Sequence, residues 1–453
     1  MKRKDHFQIY KDFRKQYPEF CYQSFKYTQN LQELEIVFEF SMGEEHHFSP
    51  KHRFQIPKEV SLKDISKTEL DLMVFHLGMV EVISYWKSAC PPRLVIKGFK
   101  LNEEQIKWWK KLYFEGLGEF FYLNSIETNV DDFMEIICNE GSEMPPPSNS
   151  NLLEKVMVPI GGGKDSVVSL EILKDTKNTL VPFVINPRGA TLESIKNAGF
   201  EKEEAFFTKR TIDKHLLELN AKGFLNGHTP FSAMLAFTSL IAARFNHAKY
   251  IALSNESSAN ESTVSGTNIN HQYSKSFEFE EDFRSYYQKY IHSGIEYFSF
   301  LRPISELQIA SLFSKFKHHH LSFRSCNVGS KENIWCGHCP KCLFTYILLS
   351  PFIPQQDMHQ IFGKSLLNDI TLQPDFLELR GLAETKPFEC VGTVDEVALS
   401  LKNAQKEYFE EALMLNLSKS SSTQELDNAL KEWNPQHFVP TEFENLLKKK
   451  LGL

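Results

Sequence analysis

Val156-Met157-Val158-Pro159-Ile160 runs into Gly161-Gly162-Gly163-Lys164-Asp165-Ser166, and that into Val167-Val168-Ser169-Leu170-Glu171-Ile172-Leu173. The first stretch is apolar and strand-like, the last has a helical pattern, and three glycines stand between them. Strand, glycine turn and helix in that order present backbone N–H groups to a phosphate at a helix N-terminus. Glycine lets the backbone come close to an anion, since it has no Cβ and tolerates positive φ. Lys164 adds a point charge and Ser166 a hydroxyl. This is not a Walker A loop. That motif needs Gly where Val158 stands, and Ser or Thr where Asp165 stands. An acidic residue in a phosphate loop suits Mg²⁺ held between it and the phosphates. The plainer reading is a glycine turn with a solvated Lys-Asp pair. The strand before and the helix after favour the nucleotide.

Outward from this turn, short apolar strands alternate with helices. Strands are predicted at Val156–Ile160, Leu180–Ile185, Ala205–Thr208 and Tyr250–Leu253. Helices are predicted around Ser166–Lys174, Leu192–Ala198, Ile212–Lys222 and Ser232–Phe245. That alternation reads as an α/β fold with a doubly wound parallel sheet. Ligands of such sheets bind beyond the carboxyl ends of the strands. Asn186-Pro187-Arg188 and Ser254-Asn255-Glu256 follow strands, as the glycine turn does, so Arg188, Asn255 and Glu256 become substrate-binding candidates.

Four segments are expected. Residues 1–140 mix alternating runs such as Leu34–Phe40 with helical ones around Leu70–Trp86 and Glu103–Phe121, an α+β domain. Residues 141–151, with Pro145-Pro146-Pro147, read as a linker. Residues 152–350 form the nucleotide-binding domain, and 351–453 a mainly helical region.

Composition narrows the class. The 453 residues are 42% hydrophobic and 24% charged, as in a soluble globular protein, and too many for one core. Lys+Arg 51 against Asp+Glu 58 gives −7, which argues against nucleic acid as partner. No run approaches the ~18 apolar residues of a membrane helix, and Met1-Lys2-Arg3-Lys4-Asp5 leads into no signal-peptide core. The expectation is a cytoplasmic protein with a small-molecule substrate and no membrane partner. Its eight cysteines are then thiols or metal ligands before they are disulfides.

Cys326, Cys336, Cys339 and Cys342 have spacing suited to a structural Zn²⁺, with His338 as a competing fourth ligand and iron–sulfur ligation as a lesser alternative. His228, before an apolar helix, is a substrate candidate; Thr229 as cap and Pro230 as first helical residue are the structural reading there. His271 and Lys275 sit in a polar cluster and are general-base candidates against a solvated loop. Arg302 precedes a helix that Ser305 would cap. His318-His319-His320 reads as solvated, and Cys390 as an acid/base thiol or a small buried hydrophobe.

Gly-Gly-x-Asp-Ser resembles the PP-loop of ATP pyrophosphatases, which cleave ATP between the α and β phosphates. With it come Asn226-Gly227-His228, Asn270-His271-Gln272, Leu301-Arg302-Pro303, Ser325-Cys326-Asn327, Trp335-Cys336-Gly337 and Cys339-Pro340-Lys341-Cys342. Together these strings resemble the MurL family of UDP-N-acetyl-α-D-muramoyl-L-alanyl-L-glutamate epimerases, densely between 156 and 345 and more thinly from 75 to 395. The resemblance implies ATP- and Mg²⁺-dependent inversion of the terminal L-Glu of UDP-MurNAc-L-Ala-L-Glu to D-Glu, in peptidoglycan precursor synthesis. The carboxylate would be adenylated, with release of AMP and pyrophosphate. Gly161, Gly162, Gly163, Lys164, Asp165 and Ser166 are then assigned to ATP. Proton transfer falls to some of His228, His271, Lys275 and Cys390, and carboxylate binding to Arg188 or Arg302. The alternatives are a PP-loop synthase or ligase resembling 7-cyano-7-deazaguanine synthase, and a non-catalytic nucleotide-binding module.

Overall fold

A computed structural model describes residues 3–30, 32–56, 64–264, 266–267, 269–415 and 425–453. Met1 and Lys2 of the basic start lie outside them. The strands are β1 Glu19–Gln29, β2 Glu33–Met42, β3 His46–Phe48, β4 Lys51–Gln55, β5 Arg93–Ile96, β6 Glu135–Ile137, β7 Leu153–Pro159, β8 Thr179–Ile185, β9 Phe206–Thr211, β10 Ala248–Leu253 and β11 Glu296–Ser299. With the helices between them, the fold is mixed α/β. Two compact units are interleaved along the chain. The first comprises residues 1–154, 206–249 and 273–296; the second comprises 155–205, 250–272 and 297–453.

In the first unit the strand order is β9-β4-β2-β1-β5-β6, with β3 beside β2. β1, β2, β4 and β9 pair antiparallel in succession, while β5 and β6 add on parallel. The alternation of β2 is legible in its burial: Leu34, Ile36, Phe38 and Phe40 are buried, Glu35 and Glu39 only partly. The helix Lys67–Trp86 starts at Ser66, whose hydroxyl accepts from the Glu69 N–H, and is buried along nearly its whole length. Gly78 permits that packing, since a Cβ there would stand 2.0 Å from the Tyr22 hydroxyl.

The strand expected at Ala205–Thr208 is β9, which pairs antiparallel with β4, Phe54 opposite Thr208. One expectation is corrected in this unit. Pro230 occupies the cap position of the helix Phe231–Phe245, with no side-chain cap from Thr229. Its ring packs where a Gly116 Cβ would lie 2.7 Å away, which fixes the helix start by contact rather than by capping. The proline-rich stretch 141–151 is tied down at Ser148, whose N–H donates to the Ile291 carbonyl at 3.0 Å.

In the second unit the order is β11-β10-β7-β8, with β7 and β8 parallel and Val156 opposite Leu180. Chain order reverses at β7, which has β8 on one side and β10 on the other. From Pro351 on the chain is mainly helical, with helices Gln355–Phe362, Gln373–Leu379, Val394–Lys402 and Thr441–Leu451. Lys448 and Lys450, in the last turn of the final helix, pair with Glu444 and Asp175. No helix among the described residues is long and apolar enough to cross a membrane.

Candidate active site

β7 ends at Pro159, and the helix Lys164–Leu173 begins four residues after Ile160. Gly161 is exposed, and nothing lies within 4 Å of where its Cβ would be. Gly162 has φ +84°, and a Cβ on it would come within 3.0 Å of the Thr191 nitrogen. Only glycine fits there without strain. Gly163 caps the helix, and a Cβ on it would lie 2.7 Å from the Ser325 hydroxyl. The turn is pinned from the far side, where the Arg324 N–H donates to the Gly162 carbonyl at 2.7 Å. Ser166 faces inward and donates to the Gly163 carbonyl at 3.0 Å.

Lys164 is buried, and its ammonium is held by two carboxylates, Asp165 and Glu306. Burial alone would lower the lysine pKa; the charges of Asp165 and Glu306 outweigh it and hold the pKa well above the ordinary value. Asp165 keeps 27% of its side chain exposed, whereas Glu306 is sealed. Burial raises the Glu306 carboxyl to about 7; Lys164 pulls it down, and Asp165 and Glu256 push it up. Sequence reasoning missed Glu306. Its signal was an acidic residue straight after an N-cap. Ser305 accepts from the Gln308 N–H at 3.3 Å and Gln308 returns the bond, a capping box that sets Glu306 on the first turn of the helix Glu306–Ser314.

The loop after β10 is stapled to the segment after β11. Asn255 donates to the Ser299 hydroxyl at 3.0 Å, and Arg302, fully buried, donates to the Glu256 carbonyl at 2.6 Å. Ser258 donates to Glu396, a second buried acid, whose pKa is raised by burial and by Glu306. Asn255, Glu256 and Arg302 therefore belong to one bonded assembly. Arg188 is exposed, at the start of the helix Gly189–Asn197, and donates to the Ser330 hydroxyl at 2.6 Å.

Cys390 lies on a loop that several bonds hold against this assembly. Lys386 bonds Glu261 and the Gly392 carbonyl, Gln272 donates to the Val391 carbonyl at 3.1 Å, and Asn327 donates to Glu389 at 2.9 Å. Gly392 makes room, since a Cβ there would stand 3.3 Å from the Glu306 Cβ and 2.5 Å from Glu396 Oε2. His271 and Cys390 both belong to the second unit, and each acts on Glu389, whose pKa burial raises. His228 and Lys275 belong to the first unit. His228 Nδ1 lies 3.6 Å from Glu119 there, and Lys275 closes the short turn Tyr273–Lys275.

The four sulfurs of Cys326, Cys336, Cys339 and Cys342 converge within 4.8 Å of one another. Cys326 and Cys339 are 3.8 Å apart, Cys336 and Cys342 3.6 Å, Cys339 and Cys342 3.5 Å. A tetrahedron with metal–sulfur bonds of about 2.3 Å has edges of about 3.8 Å. His338 is exposed and engages the Cys336 carbonyl instead, so Cys326 completes the set. The neighbouring histidines are not the solvated run expected. His318 and His319 both meet Glu171 Oε1, at 3.1 and 2.7 Å, and His319 is buried. A carboxylate on the helix after the glycine turn draws them in, which the run of histidines alone does not reveal.

The family model described as the MurL N-terminal domain matches residues 11–300, and that of the MurL C-terminal domain matches 322–432. The first match runs across the proline-rich stretch, and the second takes in the four cysteines and the Cys390 loop. The chain is 34% identical over 395 residues to the UDP-N-acetyl-alpha-D-muramoyl-L-alanyl-L-glutamate epimerase of a Micromonospora species, covering 84% of this chain and 86% of that protein. Epimerases of the same name from Xanthomonas oryzae pv. oryzae and Salinispora tropica are 33% and 35% identical. They cover 76% and 73% of this chain, and 76% and 72% of their own lengths. On these matches the chain belongs to the MurL family.

Proposed function

We propose that the chain is an ATP-dependent epimerase. It inverts the terminal L-Glu of UDP-MurNAc-L-Ala-L-Glu to D-Glu by adenylating the α-carboxylate, with release of AMP and pyrophosphate. The relatives' printed name supports the substrate and the outcome. The glycine turn carries the ATP part. Gly161 is open, Gly162 admits no Cβ without strain, and the turn sits where the strand order reverses. A crevice beyond the strand ends forms at such a reversal. The PP-loop assignment rests on the same observation.

A free carboxylate makes the neighbouring Cα–H a very poor acid. Adenylation removes the negative charge and makes the group electron-withdrawing, so the proton can be abstracted; hydrolysis then returns the acid. In this reading the N–H groups of the glycine turn hold phosphate oxygens. Lys164 keeps Asp165 and Glu306 in place, and Asp165, partly exposed at the turn, is the residue suited to Mg²⁺. Mg²⁺, when bound, supplies neutralisation of phosphate charge. Inversion needs a proton taken from one face and returned to the other. His271 and Cys390, the two candidates in the unit that holds the glycine turn, are assigned this work. The four cysteines suit a structural Zn²⁺, since four thiolates leave no open position for chemistry.

The test is ATP turnover by the purified chain with UDP-MurNAc-L-Ala-L-Glu. AMP and pyrophosphate in equal amounts, formed only with the dipeptide sugar, are expected. Turnover surviving in Asp165→Asn would remove the assignment of the turn, and capture of the adenylate by an amine would move the chain to the ligases.

A further inference from the structure

Lys341 sits between two of the clustered cysteines, in Cys339-Pro340-Lys341-Cys342, on the first turn of the helix Pro340–Leu349. Two features make that position costly. Its side chain is buried, the residue being only 7% exposed. Taking an ammonium out of water costs several kcal/mol unless an opposite charge receives it. It also carries positive charge at a helix N-terminus, the end that favours anions.

Its direct contacts do not use all of its donors. An ammonium has three donors. Among the described residues one reaches the Cys390 carbonyl, and the charge lies 5.4 Å from the Phe344 ring on its own helix. None of the ion pairs among those residues includes it, in contrast to Lys164 one helix away. Yet the group is not remote, since its charge is felt at both Glu306 and Glu389. It stands between the acids beneath the glycine turn and the Cys390 loop.

We propose that Lys341 is a binding residue for an oxyanion, which enters beside the Cys390 loop and takes the ammonium donors that the protein leaves over. The inference rests on the epimerase reading above, in which two such anions pass through the site: pyrophosphate and a carboxylate of the dipeptide. Both offer the same chemistry, negatively charged oxygens that accept from an ammonium. The cysteine cluster then has a task in binding. With Cys339 and Cys342 fixed on either side, the Lys341 backbone cannot move away from the site, so the cluster sets the ammonium in place.

The test is calorimetric titration of magnesium pyrophosphate, and separately of UDP-MurNAc-L-Ala-L-Glu, into the full chain and its Lys341→Met and Lys341→Arg variants. Zinc content and melting temperature are measured on each. Lys341→Met is expected to weaken one of the two ligands by about tenfold or more. Lys341→Arg is expected to restore most of that loss, with the metal content of all three chains equal. The ligand that weakens identifies the anion. Unchanged affinity of Lys341→Met for both ligands overturns the proposal. So does equal weakening in both variants with a parallel fall in melting temperature, which marks a packing role. If the unmodified chain takes up neither ligand, the epimerase reading itself fails, a result that the variants cannot mimic.

Discussion

In the first unit Glu81 receives Arg210 through two bonds, at 2.8 and 2.6 Å, and His52 through a third, at 3.0 Å. In the second, Glu306 meets the Lys164 ammonium but also faces Asp165 and Glu256. Both carboxylates are buried and both stand on helices. Burial would raise Glu81, but Arg210 and His52 outweigh it and hold the carboxyl near 2, whereas burial and like charge raise Glu306 to about 7. In the first cluster the acid meets two basic partners. The second keeps repulsion between acids and, at Lys341, an ammonium without a carboxylate. Proteins tolerate such imbalance where a ligand completes it. On the proposed function, the contrast separates a charge that holds the fold from charges that await a substrate.

The sharpest break between the regions is at the glycine turn. Gly162→Ala forces a Cβ into the left-handed region and against the backbone of Thr191, at a cost of about 1–3 kcal/mol. We expect AMP release to fall below detection while the protein still melts cooperatively; full turnover would show that the turn holds no phosphate. Next comes an exchange of effects between the charge clusters. Arg210→Met leaves the buried Glu81 with His52 as its remaining partner, and urea unfolding should show a loss of about 3 kcal/mol with KM unchanged in the folded fraction. Glu306→Gln should do the opposite, lowering kcat by about 100-fold with no loss of unfolding free energy at neutral pH. If both variants lose stability alike, the distinction between the clusters is wrong.

pH sharpens the same comparison. Burial would raise Glu171, but the donors His319, Lys174 and His318 outweigh it and lower it to about 2. A carboxyl depressed on folding stabilises above its unfolded pKa of about 4.5, and that stability is lost as pH falls toward 2. Glu306 has the reverse sign, since the folded state holds its proton and loses stability as pH rises from about 4.5 to about 7. Melting temperatures across pH should therefore flatten on the acid side in Glu171→Gln and on the neutral side in Glu306→Gln. The smallest effect is expected at Ser305→Ala, about 1 kcal/mol from the lost cap, read in thermal melts.

Much of the second unit was legible because its signals are local. The apolar run before Gly161, the helical pattern after Ser166 and the cap at Ser305 each depend on a few neighbouring residues, and each appears where the pattern put it. The cysteine spacing was equally direct, although only geometry separated Cys326 from His338 as the fourth member. What escaped the sequence was long-range. Glu306 meets Lys164 across 142 positions and Lys341 meets Cys390 across 49. No periodicity carries such pairings. The pairing of β9 with β4 escaped for the same reason, as β4 lies far back in the chain. The interleaving of the two units is likewise set by contacts rather than by composition, and the proline-rich stretch gives no sign of it.

The central claim is that adenylation and inversion occur together at the glycine turn of the second unit. It is tested most directly by incubating the purified chain with ATP, Mg²⁺ and UDP-MurNAc-L-Ala-L-Glu in D₂O. AMP, pyrophosphate, deuterium at the glutamate Cα and D-Glu content would all be followed. The account predicts AMP formation together with D-Glu that carries deuterium at Cα. Deuterated D-Glu formed without any AMP, or AMP formed with the glutamate still L and unlabelled, would contradict it.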